Sequence, residues 1–118
     1  MNLGNILITG GASGLGAATV EAVVRHGGRP LVIDRQTPAA EVEFHRADLA
    51  DTEAVDSAVR SLADRAGGVI DGVFTAAGVD SCGKLTDVPA KDWERVIHVN
   101  LLGTVAVIRS ALPFLKSS

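Results

Sequence analysis

Short aliphatic and β-branched runs alternate along the chain with segments whose apolar residues recur every three or four positions. The runs are NILIT (5–9), RPLVID (29–34), VEFHRA (42–47) and VIDGVFTAA (69–77). The last reads as a strand buried on both faces, as parallel sheets require. Between the first two, a helix over 14–26 would present Leu15, Ala18, Ala22 and Val23 on one face and stop at Gly27-Gly28. After the third run, Asp51 is placed to cap a helix over 52–66 that carries Val55, Ala58, Val59, Leu62 and Ala66 as a 3.6-period stripe and closes at Gly67-Gly68. A mixed loop (78–88) leads to Pro89, which suits a first helical turn. From there Trp93, Val96, Ile97, Leu101, Val105, Ile108 and Leu112 keep helical spacing, predicting a helix over 89–116 that Pro113 ends or bends. Strands and helices in strict alternation predict an α/β chain with a parallel sheet.

Composition narrows the function classes. At 118 residues and 47% hydrophobic, the chain suits one domain over 1–118, with no repeat, linker or low-complexity tract. A net charge of −3 supplies no broad basic field, so neither nucleic acid nor an anionic membrane is an expected partner. His26, His45 and His98 lie far apart in sequence with no carboxylate cluster around them, so no metal site is expected. The single cysteine, Cys82, fits a reducing, cytoplasmic setting. MNLGN shows no targeting pattern. The most apolar window, VIHVNLLGTVAVI, has 13 residues and includes His98 and Asn100, short of the roughly 20 that span a bilayer.

Chemistry concentrates in ITGGASGLGAA (8–18), where four glycines loosen the junction of the first strand and helix. A strand, a glycine-rich turn and a helix N-terminus make an anion site, because free N–H groups and the positive end of the helix dipole point at the ligand. Pyrophosphate fits, and Ser13, Gly14, Leu15 and Gly16 are the candidate contacts, with Ala17 and Ala18 allowing close helix–strand packing. The general G-x-G-x-x-G/A fingerprint is met in part: Gly14-Leu15-Gly16 begins it and Thr19 stands where the third small residue belongs. Asp34 ends the second strand 18 residues after Gly16, near the expected offset of a ribose-binding acid. Its carboxylate would accept from the adenosine 2′-OH and repel a 2′-phosphate, which favours NAD over NADP; Arg35 is the residue that would welcome that phosphate.

Thr9, Gly10, Gly14 and Gly16 also spell T-G-x-x-x-G-x-G, and here the chain resembles the short-chain dehydrogenase/reductase family. The resemblance runs through essentially all 118 residues and implies the amino-terminal half of a Rossmann-like, doubly wound sheet with strand order 3-2-1-4. It assigns Asp48 and Leu49 to the adenine ring, and Ala76, Ala77 and Gly78 to the ribose near the nicotinamide, with Thr75 in place of the usual Asn. Asn100, in VNLLG, matches the catalytic-tetrad Asn that kinks its helix and holds a water in the proton relay. Independently of the family, an amide on this apolar stripe must find partners, at a cost on the order of 1–3 kcal/mol if it does not. The family chemistry is hydride transfer between nicotinamide and an alcohol or carbonyl substrate. It also needs a Ser and a Tyr-x-x-x-Lys pair further on, and this sequence contains no tyrosine. The 118 residues alone are therefore expected to be inactive. Two classes follow: part of a true oxidoreductase, or a small nucleotide-binding or self-associating module without redox chemistry.

Each site residue also has a plainer reading. The glycine turn serves equally as a tight connection, Asp34 and Asp48 as capping acids, and Asn100 as a structural amide. GVDSCGKL (78–85) has the spacing of a phosphate loop, but Leu85 stands where a Mg²⁺-binding hydroxyl belongs. GASGL (11–15) is not a nucleophile elbow, because Leu15 replaces its second glycine. Cys82, with Lys84 nearby, reads as a bystander rather than an activated thiol. A fourth strand left at the sheet edge would recruit another chain, so homo-oligomers joined through that strand or the 89–116 helix are expected.

Overall fold

The computed structural model describes residues 2–115. Four strands, β1 (Asn5–Thr9), β2 (Arg29–Asp34), β3 (Glu43–Arg46) and β4 (Gly72–Thr75), pair in parallel in the order β3-β2-β1-β4. This is the strand order that the family resemblance implies. The period of two along the central strands divides the core between two layers. Leu7, Leu31 and Ile33 face the layer of α2 (Thr52–Arg65) and α4 (Gly103–Ala111), where they meet Val55, Val59, Leu62 and Val107. Ile8 and Val32 face the opposite layer and meet Val20 and Val23 of α1 (Gly14–Arg25). Full burial of each such side chain contributes roughly 1.5–3 kcal/mol.

The α2 prediction holds in register: Val55, Ala58, Val59 and Leu62 are buried, and Asp51 Oδ1 accepts the Ala54 N–H at 3.1 Å. Ala66 has become the C-terminal cap and is half-buried. The face of α1 differs from expectation. Gly16, Val20 and Val23 point inward, whereas Ala18 is exposed and Leu15 is 70% exposed. The helix lies so close to β1 that its contact residue there is a glycine, which turns Leu15 outward. β4 is shorter than the run 69–77, and its Val73 and Phe74 are only half-buried because β4 is an edge strand of the described sheet. Asp71, just before it, instead receives the Asn5 N–H on its carboxylate at 2.7 Å.

The predicted helix over 89–116 is composite, and its residue 116 lies outside the described residues. It comprises α3 (Ala90–Ile97), a π-helical turn (His98–Leu102), α4, and a 3₁₀ turn (Leu112–Phe114) that contains Pro113. The Gly103 N–H donates to His98 O, five residues back, which widens that turn. The face toward the core consists of Val99, Gly103, Ala106, Val107 and Ala111. The large residues that carried the helical spacing, Trp93, Ile97, Leu101, Val105, Ile108 and Leu112, are 42–59% exposed. The run Ala90–Phe114 has the length and apolar composition to cross a bilayer, which the 13-residue window did not anticipate, yet its small-residue face packs against α2 and the sheet.

Candidate functional site

The carboxyl ends of β1, β2, β3 and β4 open onto a cleft of about 570 Å³. Its floor is the turn between β1 and α1. Gly10 (φ +74°) donates its N–H to Ile33 O at 2.9 Å, and a Cβ on it would lie 2.8 Å from the Ala77 backbone. A Cβ on Gly16 would overlap the Gly10 carbonyl, so only glycine lets α1 begin this close to β1. Gly14 (φ +54°) is different: a Cβ there would meet nothing within 4 Å, so this side of the turn is open.

The start of α1 has free donors. Ser13 makes no side-chain capping bond, the first turn carries no acidic residue, and Ala17 N–H to Ser13 O at 3.1 Å is the bond that closes the first turn. The N–H groups of Gly14, Leu15 and Gly16 precede it and belong to the unpaired set of a helix start. Asp34, at the end of β2, reaches the rim without filling this turn. Its Oδ2 accepts the Ala12 N–H at 2.9 Å and its Oδ1 the Gln36 N–H at 2.9 Å, so it braces the glycine turn while staying half-buried in the cleft wall.

Asp48 sits across the cleft beyond β3. Its Oδ1 accepts the Ala50 N–H at 3.0 Å, and Arg95 of α3 donates to both oxygens at 3.2 and 3.3 Å. Arg35 Nε stands 3.8 Å from Oδ2. Burial raises the Asp48 carboxyl, but the Ala50 N–H, Arg95 and Arg35 outweigh it and hold the group below the usual carboxylate range. The capping role at α2 belongs to Asp51, not Asp48. Leu49 is buried against Gly103, where a Cβ would come within 2.9 Å of it.

The fourth wall follows β4. Thr9, fully buried, accepts the Ala76 N–H on its carbonyl at 3.2 Å and the Ala77 N–H on its hydroxyl at 3.3 Å. Asn100 lies in the π turn and grips Val79, two residues beyond Ala77: its Oδ1 accepts the Val79 N–H at 2.8 Å and its Nδ2 donates to Val79 O at 2.9 Å. The amide has the partners its chemistry demands, but the residue is exposed rather than on the buried stripe. It shares the outer side with Trp93, Ile97 and Leu101, whose stripe is itself exposed.

Of the residues singled out from sequence, Gly10, Ser13, Gly14, Leu15, Asp34, Arg35, Asp48, Leu49, Ala76, Ala77 and Gly78 line the cleft. Thr9 and Gly16 lie behind it as supports, and Asn100 reaches it through Val79. The structure adds Ile33, Gln36, Ala47, Val79, Arg95 and Val99. Ile33 and Ala47 immediately precede the two singled-out acids and were findable by position. Arg95 was not, since its contact with residue 48 spans 47 positions of chain. Cys82 donates to Asp80 at 3.4 Å, and that carboxylate pushes the thiol up, which opposes thiolate formation.

Comparison with known proteins supplies the relatives of this fold. The family model for short chain dehydrogenase matches residues 4–118. The chain is similar to the short-chain dehydrogenase/reductase olcF of Penicillium canescens, 33% identical over 95% of this chain and 46% of that protein. It is also similar to short-chain dehydrogenase reductase 5 of Arabidopsis thaliana, 30% identical over 90% of this chain and 45% of that one. Among solved structures, the ligand-free aldohexose dehydrogenase of Thermoplasma acidophilum superposes with a TM-score of 0.88 at 25% identity, covering 93% of this chain and 43% of its own. A short chain dehydrogenase from Burkholderia cenocepacia in complex with NADP gives 0.87 at 25% identity, covering 99% and 54%. The chain spans about half the length of the relatives it matches.

Proposed function

Because this chain belongs to the short-chain dehydrogenase family, we propose that its cleft binds the adenosine and diphosphate of NAD(H), and that the whole protein moves hydride between that cofactor and a small alcohol or carbonyl compound. The observation that carries the reading is the open start of α1, where uncapped N–H groups and the vacant side of Gly14 face a cleft with no protein carboxylate in the first turn. A diphosphate fits such a cradle for two reasons, hydrogen bonding and the helix dipole. Asp34 has acceptor capacity left on each oxygen for a ribose hydroxyl, and its charge disfavours a 2′-phosphate. The apolar slot of Ala47, Leu49 and Val99 accommodates a flat base. Ala76 to Gly78, held by Thr9 and Asn100, border the second ribose.

A bound nicotinamide supplies the hydride acceptor or donor. Within this chain Asn100 acts as a positioning group for the loop at Val79. The general acid/base that the family places on a tyrosine has no counterpart in a sequence without tyrosine, so these 118 residues are proposed to bind dinucleotide without turning over substrate. NADH fluorescence titration tests the binding: saturable enhancement supports it, and a response no different from free NADH in buffer refutes it.

We also propose that copies associate through the exposed apolar stripe of α3 and α4 or through the β4 edge. Sedimentation velocity at tens of micromolar should show dimers or larger species. A clean monomer at that concentration contradicts the proposal.

A further inference from the structure

Asp48 has more partners than a base-binding acid needs. Three hydrogen bonds already reach its carboxylate: the Ala50 N–H and Arg95 Nη2 on Oδ1, and Arg95 Nη1 on Oδ2. A carboxylate offers about four acceptor positions. One therefore remains, on Oδ2, contested only by Arg35 Nε at 3.8 Å, beyond hydrogen-bond range. The two-pronged grip of a planar guanidinium fixes the plane of the carboxylate as well as its place. Arg95 is held in turn by its helix: α3 has no fully buried residue, but the π turn beyond it plants Val99 in the core and Gly103 against Leu49. Arg95, Val99 and Gly103 thus clamp the Asp48-Leu49 corner from one side.

We propose that Arg95 is a specificity-determining positioning residue: by locking the Asp48 carboxylate with a single acceptor free, it makes the site read the exocyclic amine of a 6-aminopurine. The inference rests on the dinucleotide reading above and deepens it. An amine can donate to the free position. A 6-oxo purine presents an acceptor there instead, and the two oxygens repel across a partly dry slot. Without Arg95 only the Ala50 N–H still holds the carboxylate, which can then swing about that bond or pair with Arg35, and the amine loses a fixed partner.

The test compares NADH with its hypoxanthine analogue, reduced nicotinamide hypoxanthine dinucleotide, on the 118-residue chain. The expected result is binding of NADH at least about tenfold tighter by the wild type, equivalent to one well-made polar contact, and a ratio within about twofold for Arg95→Met. Arg95→Lys, which keeps the charge but not the fork, should fall between. The readout is a ratio within each variant, so a general loss of stability cancels, whereas a role confined to docking α3 would leave the ratio at its wild-type value. If Arg95→Met does not fold, Arg95→Gln serves: its amide can give Asp48 one hydrogen bond but not the two-pronged grip, and the preference should shrink. Equal binding of both dinucleotides by the wild type, or an unchanged ratio in the variants, overturns the role of Arg95 while leaving the dinucleotide site standing. Failure to bind either one overturns the dinucleotide reading, and this inference with it.

Discussion

Gly16→Val is expected to destabilise the protein by about 3 kcal/mol, the upper part of the range for forced overpacking. The new Cβ would overlap the Gly10 carbonyl, which is backbone held by the Gly10 N–H bond to Ile33 O and by close approach to Ala77. No rotamer relieves a clash made by Cβ itself. Either α1 moves away from β1, which opens the contact of Val20 and Val23 with Ile8 and Val32, or the turn unravels. For a chain of this size the melting temperature should fall by about 12 °C or more. Thermal unfolding followed by circular dichroism checks this; a variant melting within a few degrees of wild type would show that the junction has slack the structure does not reveal.

The second large effect is on affinity. Asp34→Ala removes a charged acceptor for the proposed ribose and also the partner of the Ala12 N–H, so the glycine turn loses its brace. Hydrogen bonds to charged groups contribute about 1.5–3 kcal/mol, so NADH binding should weaken roughly tenfold to a hundredfold. NADPH should suffer less, or gain, because the repelling carboxylate is gone while the exposed Arg35 remains beside the cleft. Parallel titrations with the two cofactors give both numbers. Asp34→Asn, which keeps one acceptor without the charge, separates the brace from the repulsion. An NADH affinity within twofold of wild type in Asp34→Ala contradicts the assignment of this acid to the sugar.

Much of this was legible in the chain because local chemistry and global fold agree there. The strand–helix alternation, the α2 stripe with its Asp51 cap, and the glycine turn follow from short-range patterns that a parallel sheet requires, whereas the strand order is implied by the family resemblance. The long helix was legible as a helix but not as to its inner face. Both of its faces are apolar, and periodicity favoured the large residues from Trp93 to Leu112, whereas tight packing on α2 and Leu49 selects the small ones, Gly103, Ala106 and Ala111. The π turn compounds this, since one widened turn shifts the phase of everything after it, while Asn100 lies outward together with Trp93 and Ile97, which precede that turn. Leu15 failed for a related reason: close helix–strand approach buries a glycine and expels its larger neighbour. Arg95 carries no local signal at all, because its meaning lies in a contact made by the tertiary fold.

The central claim is that unpaired backbone donors at the start of α1 cradle a diphosphate. Its most direct measurement is a titration of the ¹⁵N-labelled chain with ADP-ribose, which carries the diphosphate and adenosine without the nicotinamide, followed at the backbone amides. The account predicts saturable shifts that are largest at Gly14, Leu15 and Gly16, with a second group at Asp34 and Asp48. Amides of 13–16 that stay still while ADP-ribose binds elsewhere, or no shifts at all at millimolar ligand, would contradict it.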